Sequence, residues 1–395
     1  MSRWTSDAVK LAVFAACLTG SSWGCSADGF VAPAPADGIL SISVSTTGRH
    51  IDVDGYTVLL DSKALASIGS NNAAILTRVG SKSYVAALSG LAPNCTLAAG
   101  DTGRVEIKPG VTTLLNFQIV CAASERIAFT SERDGNPQIY VMELDGSGQA
   151  RVTFSSTRDS DPTWSPDGNR IAFASLKDEI RSNIAIANVD RSGISILGGT
   201  DAGALYPAWS ADGSQIAFAS VRTGSSDIFA MNADGTNERQ ITNSSDIEYR
   251  PAWSTDGAKL IFDAAPPATF LVYNVWSMNV DGSARTQLTS NLFVTLNPQV
   301  TSDGKKIVFQ SLSSGQSLSS GFDIYVMNAD GSDVTQITSD PSDDKDPFWS
   351  ADGTRIVFSS NRSGNLEIYV MNADGTNVVQ LTNNSGADYD PVWSR

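Results

Sequence analysis

Acidic and polar side chains recur at two fixed positions before a repeated proline, and their types suit ligand binding. The position directly before the proline holds Asp161, Tyr206, Arg250, Asn297, Asp346 and Asp390. The position two residues earlier holds Asp159, Ala204, Glu248, Thr295, Asp344 and Asp388. Seven of these twelve residues are acidic. Carboxylates at that density could hold Ca²⁺ or attract a basic peptide, so we predict a binding rim with Asp161, Asp346 and Asp390 as candidate calcium ligands.

The alternative at each of these positions is structural. An aspartate in front of a strand commonly hydrogen-bonds only the backbone of the adjacent turn. The positions also belong to the repeat itself, so their recurrence alone does not separate the two interpretations.

Residues for catalysis are scarce. His50 is the single histidine and no Gly-x-Ser-x-Gly motif occurs after the predicted export signal, which removes most serine–histidine and zinc chemistry. A calcium-dependent lyase or lactonase acting on carbohydrate needs only carboxylates and a metal, and it is the catalytic alternative. We predict a non-catalytic protein that engages a peptide or protein partner.

The overall charge limits the partners. The chain has a formal net charge of −15 at pH 7, and such a surface repels phosphate backbones. We therefore expect a monomer that binds no nucleic acid and favours cationic partners or metal ions.

The proline belongs to a repeated element, Pro-x-Trp-Ser-x-Asp-Gly. Full copies begin at Pro162, Pro207, Pro251 and Pro347, a worn copy at Pro298 and a truncated copy at Pro391. The tryptophan position recurs every 44 to 49 residues. Each unit continues with an apolar strand, a second strand and a tight glycine turn. Four strands in a period near 45 residues are typical of a propeller blade.

The two ends of the repeat complement each other. The first unit starts at 126–129 without a Pro-x-Trp strand, and the last unit is only that strand. We predict an all-β fold in which residues 124–395 form a six-bladed β-propeller. Residues 391–394 would close it as the innermost strand of the blade formed by 124–154, which removes exposed sheet edges.

These motifs, together with Ile-Tyr-Val-Met-Asn-Ala-Asp-Gly at 368–375, resemble the TolB-like (WD40-like) propeller family. The resemblance implies a location in the bacterial cell envelope and a propeller channel that receives extended peptides and can hold calcium. Members of the TolB type carry an α/β domain before the propeller, which this sequence replaces with a β-rich segment. The resemblance therefore does not extend to a particular role in the Tol–Pal system.

The N-terminus has the pattern of an export signal at 1–25, with a positive start, a short apolar stretch and small residues before Cys25. Cys25 is the candidate lipidation site, while cleavage after Gly24 with plain secretion is the alternative, as is a rival lipid site at Cys17. Residues 26–37 contain two prolines and small residues typical of a linker. We expect a periplasmic, outer-membrane or cell-surface protein that touches a membrane only through such an anchor.

Residues 38–122 show period-two alternation and frequent turn residues. They predict a small antiparallel β-sandwich, which resembles the Ig-like or transthyretin-like accessory domains of bacterial surface proteins. In an exported protein, Cys95 and Cys121 are expected to form a disulfide. A spacer role is the simplest interpretation, and a surface module that binds polysaccharide is the alternative.

Overall fold

A computed structural model describes most of the chain after the predicted linker. The described ranges are 37–48, 55–69, 73–91, 95–98, 103–121, 125–178, 181–197, 203–267, 272–290, 294–312 and 321–394. Every regular element within them is a β-strand, which confirms the all-β prediction. The export signal, the candidate lipidation site Cys25 and His50 lie outside these ranges. No helix long and apolar enough to span a membrane occurs in the part of the chain that is described.

The first eight strands form a small domain. They are β1 (Asp37–Gly48), β2 (Tyr56–Leu60), β3 (Lys63–Ile68), β4 (Ala73–Gly80), β5 (Ser83–Ser89), β6 (Cys95–Leu97), β7 (Gly103–Glu106) and β8 (Thr112–Cys121). They make two four-stranded sheets, in the orders β4-β1-β8-β6 and β3-β2-β5-β7. Alternate residues of both sheets, such as Ile42, Val58 and Phe117, share one buried cluster. The period-two pattern therefore marks the inward faces correctly.

One pairing in this domain differs from the prediction. β1 and β8 pair in parallel, with Ile39 opposite Thr112 and Gly48 opposite Cys121. A purely antiparallel sandwich is therefore wrong. Alternation of apolar residues reports which face is buried but carries no information about the direction of the neighbouring strand, so the sequence could not reveal this pair. β6 pairs with β8 in the antiparallel sense and places Cys95 opposite Cys121.

The remaining strands fall into six units. The list of bounds is β9 (Arg126–Ser131), β10 (Gln138–Glu143), β11 (Ala150–Arg151), β12 (Arg158–Trp164), β13 (Arg170–Leu176), β14 (Ser182–Asn188), β15 (Ile194–Leu197), β16 (Ala204–Trp209), β17 (Gln215–Ser220), β18 (Asp227–Asn232), β19 (Arg239–Gln240), β20 (Ile247–Trp253), β21 (Lys259–Ala265), β22 (Asn274–Asn279), β23 (Thr286–Gln287), β24 (Val294–Val300), β25 (Lys306–Leu312), β26 (Asp323–Asn328), β27 (Thr335–Gln336), β28 (Asp344–Trp349), β29 (Arg355–Ser360), β30 (Glu367–Asn372), β31 (Val379–Gln380) and β32 (Asp388–Trp393).

Within the described residues these strands form six four-stranded antiparallel sheets. Sheet 1 has the order β11-β10-β9-β32, and its last strand comes from the far end of the chain. Sheets 2 to 6 follow the chain, as β12-β13-β14-β15, β16-β17-β18-β19, β20-β21-β22-β23, β24-β25-β26-β27 and β28-β29-β30-β31. In sheet 1, Trp393 lies opposite Ile127 and Asp388 lies opposite Ser131.

The repeated residues explain how the sheets pack. The second strand of each sheet is apolar on both faces and buried, as in β9 and β17. In four of the six units a tight turn lies against the backbone of a neighbouring sheet, at Gly146, Gly282, Gly331 and Gly375. Gly375 shows why glycine is needed there. Its φ is +84°, and an added Cβ would lie 2.6 Å from the carbonyl oxygen of Ile337.

The motif tryptophans pack between sheets. Trp164 joins residues of sheets 1 and 2 in one cluster, and Trp253 joins residues of sheets 3 and 4. Trp393, which is 1% exposed, contacts a cluster that contains Phe129 of sheet 1 and Val357 of sheet 6. Val300 fills the tryptophan position of sheet 5 and is also buried. These clusters join sheets 1 and 2, sheets 3 and 4, and sheets 6 and 1.

Candidate functional site

A β-bulge interrupts the first strand of every repeat directly before its proline. Pairing shifts register between Ser160 and Thr163 in sheet 2, and the same shift recurs at the matching residues of the other five sheets. The bulged residue adopts a left-handed backbone, with φ between 49° and 56°, at Asp161, Tyr206, Arg250, Asn297, Asp346 and Asp390. Such a conformation is costly for residues other than glycine, and residues that adopt it cluster at functional sites.

These six residues, here called the chamber ring, line one cavity. Its volume is about 370 Å³, and the motif prolines complete much of its wall. We call it the polar chamber. The first of the two positions selected from the sequence is therefore brought together by the fold, because six equivalent bulges turn their side chains toward one axis.

The second position is placed elsewhere. Asp159, Glu248, Asp344 and Asp388 are 0% exposed and are not among the residues that line the polar chamber. We call this set, with Ala204 and Thr295, the anchor ring. Its members lie two residues before the chamber ring, and on a regular strand the two sets would share a face. The intervening register shift separates them.

Arginines hold three anchor-ring carboxylates. Arg133 lies 2.8 Å from Asp388 and stacks on Tyr140 with its guanidinium carbon 4.7 Å from the ring centroid. The other two pairs have the same form and are Arg362 with Asp344 at 2.8 Å and Arg285 with Glu248 at 3.0 Å. Each pair joins two strand ends of one sheet. Because these three carboxylates are paired with arginines inside the protein, their charge is not available to a ligand.

Where arginine is lacking, hydroxyl groups take its place. Asp159 accepts hydrogen bonds from Ser155 at 2.7 Å, Thr157 at 2.9 Å and Ser175 at 2.8 Å. Thr295 lies 3.3 Å from the hydroxyl of Ser311. Apart from Ala204, the anchor ring is therefore a set of side chains that make local hydrogen bonds or ion pairs.

The chamber ring divides into two unlike halves. Its three aspartates come from neighbouring sheets in the order 6, 1 and 2, namely Asp346, Asp390 and Asp161, while Tyr206, Arg250 and Asn297 come from sheets 3, 4 and 5. Asp346 accepts hydrogen bonds from Asn297 at 3.2 Å and from Ser359 at 2.8 Å. One wall of the cavity is thus acidic and the other is not.

Arg250 offsets the charge of the acidic wall only in part, because it is paired with Asp263; its charge still lowers the pKa of Asp161 and of Asp390. The side chains of Arg250 and Asp263 are 3.2 Å apart, and Asp263 is fully buried. Arg250 also stacks on Tyr206, with its guanidinium carbon 4.5 Å from the ring centroid. Asp263 further accepts the backbone N–H of Asn297 at 3.1 Å. These contacts hold the Arg250 guanidinium on the wall of the cavity that sheets 3, 4 and 5 form.

Sequence reasoning missed Asp263, although a signal was present. It follows the apolar run Lys259-Leu-Ile-Phe at the place where sheets 2 and 3 carry Ala174 and Ala219. A charged residue at a position that is alanine in sheets 2 and 3 marks a strand residue next to the chamber. The polar residues Thr130 and Ser359 occupy the same place in sheets 1 and 6 and donate to Asp390 and Asp346.

Burial and mutual repulsion change the acidity of the aspartates. Burial raises the pKa of Asp161 to about 6, with a smaller contribution from the charge of Asp346. Burial, followed by Asp161 and Asp346, raises the pKa of Asp390 well above its usual range. Burial also raises the pKa of Asp263 to about 6 despite Arg250. Asp161 is only partly buried, so its carboxyl group can exchange protons with solvent.

The geometry does not supply a ready calcium site. Among the residues described by the structure, no three His, Cys, Asp or Glu side chains lie close enough together to hold a metal ion. Asp161, Asp346 and Asp390 therefore face one chamber without forming a preassembled cage, and the calcium hypothesis stays a prediction.

The repeats match a known protein family. The family of the TolB beta propeller domain matches residues 120–205, 161–320 and 316–395, which together make up more than half of the chain. The Protein TolB homolog of Chlorobium luteolum is 31% identical over 146 residues, which cover 35% of this chain and 31% of that protein. The Tol-Pal system protein TolB of Geobacter sulfurreducens is 55% identical over 40 residues, 10% of this chain and 9% of that protein. The chain thus spans about a third or less of these relatives.

Solved structures agree on the fold. TolB from Acinetobacter baumannii superposes with a TM-score of 0.59 and 19% identity, over 68% of this chain and 66% of that one. A putative TolB from Agrobacterium tumefaciens gives a TM-score of 0.53 and 21% identity, over 69% of this chain and 99% of that one. At such identities the likeness concerns the architecture alone.

Proposed function

The chain belongs to the TolB beta propeller domain family, and from this premise we propose that it is a non-catalytic binding protein of the bacterial cell envelope. Its polar chamber takes up a segment of a peptide or protein partner. The observation that carries the proposal is the convergence of six bulged, non-glycine residues on one cavity of about 370 Å³. Backbone strain of this kind clusters at ligand-binding sites.

We infer that the six sheets form a closed, six-bladed propeller around this chamber. The pairing of β32 with β9 supports closure. So does the cluster that joins sheets 6 and 1 through Trp393. In this arrangement the chamber is the channel of the propeller, and the side chains at its mouth are fixed by blades on every side.

The charge distribution favours a cationic segment. Asp161, Asp346 and Asp390 place three carboxyl groups on neighbouring sheets. Of the two arginines in the cavity wall, Arg250 is already paired with Asp263 and Arg158 lies outside the chamber ring. A lysine or arginine side chain that entered the chamber would face carboxylates of reduced solvation, where charge pairing is stronger than in water. The formal net charge of −15 would also steer such a partner toward the protein.

The same proposal includes export and anchoring. Relatives named Tol-Pal system protein TolB support a location in the cell envelope, and Cys25 is the proposed lipid attachment site. Labelling cells with a palmitate analogue checks this: the wild type should incorporate label and Cys25→Ser should not. Equal labelling of the two would show that the lipid is attached elsewhere, and no labelling of either would favour plain secretion.

The small domain is the proposed spacer between anchor and propeller, closed by a disulfide between Cys95 and Cys121. Their opposite positions on β6 and β8 support the bond. Peptide mapping without reduction should recover the two cysteines in one linked fragment. Two separate thiol fragments would contradict it.

Peptide binding tests the function directly. A fluorescent, extended peptide with one central lysine is compared by anisotropy with peptides that carry glutamate or norleucine there. The wild type should bind the lysine peptide most tightly. The double variant Asp161→Asn with Asp390→Asn should bind this peptide about tenfold more weakly. Asp256→Asn with Asp352→Asn is the matched control, because it removes two exposed turn carboxylates outside the chamber. Failure of all three peptides to bind, or equal losses in the two double variants, would contradict the proposal.

A further inference from the structure

The outer edge of sheet 2 differs from the outer edges of the other five sheets. Its fourth strand, β15 (Ile194–Leu197), has four residues and none of them is charged. In the rest of the repeats that the structure describes, the fourth strand has only two residues. Short outer strands limit pairing with a further strand. Sheet 2 therefore has the longest open edge of the six.

A polar side chain that the other five sheets carry at this edge is replaced by Ile196 in sheet 2. By strand register Ile196 lies opposite Ala185, at the position that arginine fills in sheet 1 and glutamine fills in sheets 3 to 6. In four sheets this polar side chain donates to the backbone carbonyl two residues later, a bond that isoleucine cannot make. The pairs are Arg151 with Thr153 at 2.6 Å, Gln287 with Thr289 at 2.7 Å, Gln336 with Thr338 at 2.9 Å and Gln380 with Thr382 at 2.8 Å.

Two isoleucine side chains of β15 reach solvent on one face of the sheet. Ile194 is 44% exposed and Ile196 is 59% exposed, and residues two apart on a strand share a face. Leu197 lies on the other face, in a buried cluster with Trp209 of sheet 3. The strand is therefore held in place by one face and presents apolar side chains on the other.

The backbone of the same two isoleucines points to the open edge. The N–H of Asn188 donates to the carbonyl oxygen of Gly193 at 3.1 Å, and hydrogen-bonded pairs alternate along antiparallel strands. Ser195 therefore bonds to β14, whereas the N–H and C=O groups of Ile194 and Ile196 point away from it. Each isoleucine thus offers one donor and one acceptor to a further strand.

We propose that β15 is a second binding site, at which an extended segment of another protein adds to sheet 2 as a fifth strand. Main-chain hydrogen bonds to Ile194 and Ile196 hold the segment, and its alternate apolar residues cover the two isoleucine side chains. The site goes beyond the proposed function, because none of residues 194–197 lines the polar chamber.

The size and charge of the edge favour such a segment over a second copy of this chain. A strand of four residues is about 13 Å long. Pairing two such strands buries far less than the roughly 1,000 Å² that a stable dimer needs. Two copies with a formal net charge of −15 each also repel one another. An extended peptide binds mainly through its backbone, so the edge itself is sufficient for a weak, reversible contact.

The test uses a labelled heptapeptide with blocked ends, in which three valines alternate with threonine and asparagine. It carries no charge, so it lacks the cation that the polar chamber should prefer. Anisotropy should show saturable binding to the wild type. Ile196→Gln, which introduces the residue of sheets 3 to 6, should bind about tenfold more weakly. Val379→Gln is the matched control and should bind like the wild type, because Val379 is 53% exposed on the two-residue outer strand of sheet 6.

Methylated peptides separate strand addition from apolar contact alone. One peptide is methylated at the valine backbone nitrogens and the other at the intervening nitrogens. Only one of these sets can face β15, because successive residues of a strand direct their N–H groups to opposite sides. The two peptides should therefore differ in affinity by about tenfold, and equal affinity would overturn the inference.

Hydrogen exchange locates the contact without any substitution. The amides of Ile194 and Ile196 should exchange rapidly in the free protein and slowly with the peptide, whereas that of Ser195 should be slow in both. Protection of the two isoleucine amides in the free monomer, or no binding at millimolar peptide, would overturn the inference. So would loss of binding in Asp161→Asn with Asp390→Asn, which would place the peptide in the polar chamber. A wild-type dimer that Ile196→Gln dissociates would overturn it in favour of a second copy.

Discussion

The chamber ring and the anchor ring lie two residues apart on the same six strands, yet their surroundings are opposite. Asp388 of the anchor ring is fully buried and lies 2.8 Å from Arg133. Asp390 of the chamber ring faces a cavity with two more carboxylates on the neighbouring sheets. The difference teaches that the residue type does not decide the role. The bulge decides it, because it directs one carboxylate to a local cation and the other to a space that a ligand can enter.

Removing an anchor-ring carboxylate should have the largest effect on stability. In Asp388→Ala, Arg133 keeps a largely buried charge without its partner, and breaking such a pair costs about 3 to 5 kcal/mol of the free energy of unfolding. Urea unfolding followed by circular dichroism measures the loss. Asp390→Ala in the chamber ring is the matched control and should lower the free energy of unfolding much less. Similar losses for the two variants would contradict the difference between the two rings.

Changing the pH should move peptide affinity and protein stability in opposite directions. The pKa of Asp161 and that of Asp263 are raised to about 6 from the usual value of 3.8, so between about pH 4 and 6 the folded protein holds more protons than the unfolded chain. The free energy of unfolding should therefore fall as pH rises through this range. Over the same range Asp161 gains negative charge in the polar chamber, and the affinity for a lysine peptide should increase.

The variant Asp161→Asn with Asp390→Asn sharpens this test. It should flatten the pH dependence of peptide affinity and remove part of the stability change, leaving the contribution of Asp263. Titration calorimetry and urea unfolding at pH 4, 5, 6 and 7 give both curves. Unchanged pH dependence in the variant would show that other groups control binding.

Glycine substitutions should give the smallest effects and still distinguish the rings. Asn297 has a φ of 56°, a conformation that glycine adopts freely, so Asn297→Gly should change stability by less than about 0.5 kcal/mol. Thr295→Gly, two residues earlier on the same strand, removes a buried side chain and its contact with Ser311, and should cost about 1 kcal/mol or more. Equal costs would argue that the bulge does not separate the two positions.

Much of this architecture could be predicted from the sequence. The repeated Pro-x-Trp-Ser-x-Asp-Gly element correctly indicated the all-β fold, and it marked the buried tryptophans and the strand order of each unit. The six chamber-ring residues, each of which precedes an equivalent proline, line one cavity, and their role as a binding site stays a prediction.

The sequence could not separate the two rings. The bulged residues include Asp161, Tyr206 and Arg250, and no glycine among the six marks a left-handed backbone. The cation that holds Asp388 is 255 residues away along the chain, so no local pattern reveals it. The parallel pairing of β1 with β8 was hidden for a similar reason, since both strands show the same alternation whichever direction they run.

The most direct test of the binding chamber compares the accessibility of two engineered cysteines, Asn297→Cys and Thr295→Cys. Maleimide labelling is followed by mass spectrometry, with the wild type giving the background from its own cysteines. We expect the cysteine at 297 to react in the folded protein and to be protected by the lysine peptide, and the cysteine at 295 not to react. Equal labelling at both positions, or labelling at 297 that saturating peptide leaves unchanged, would contradict a ligand-binding chamber at this ring.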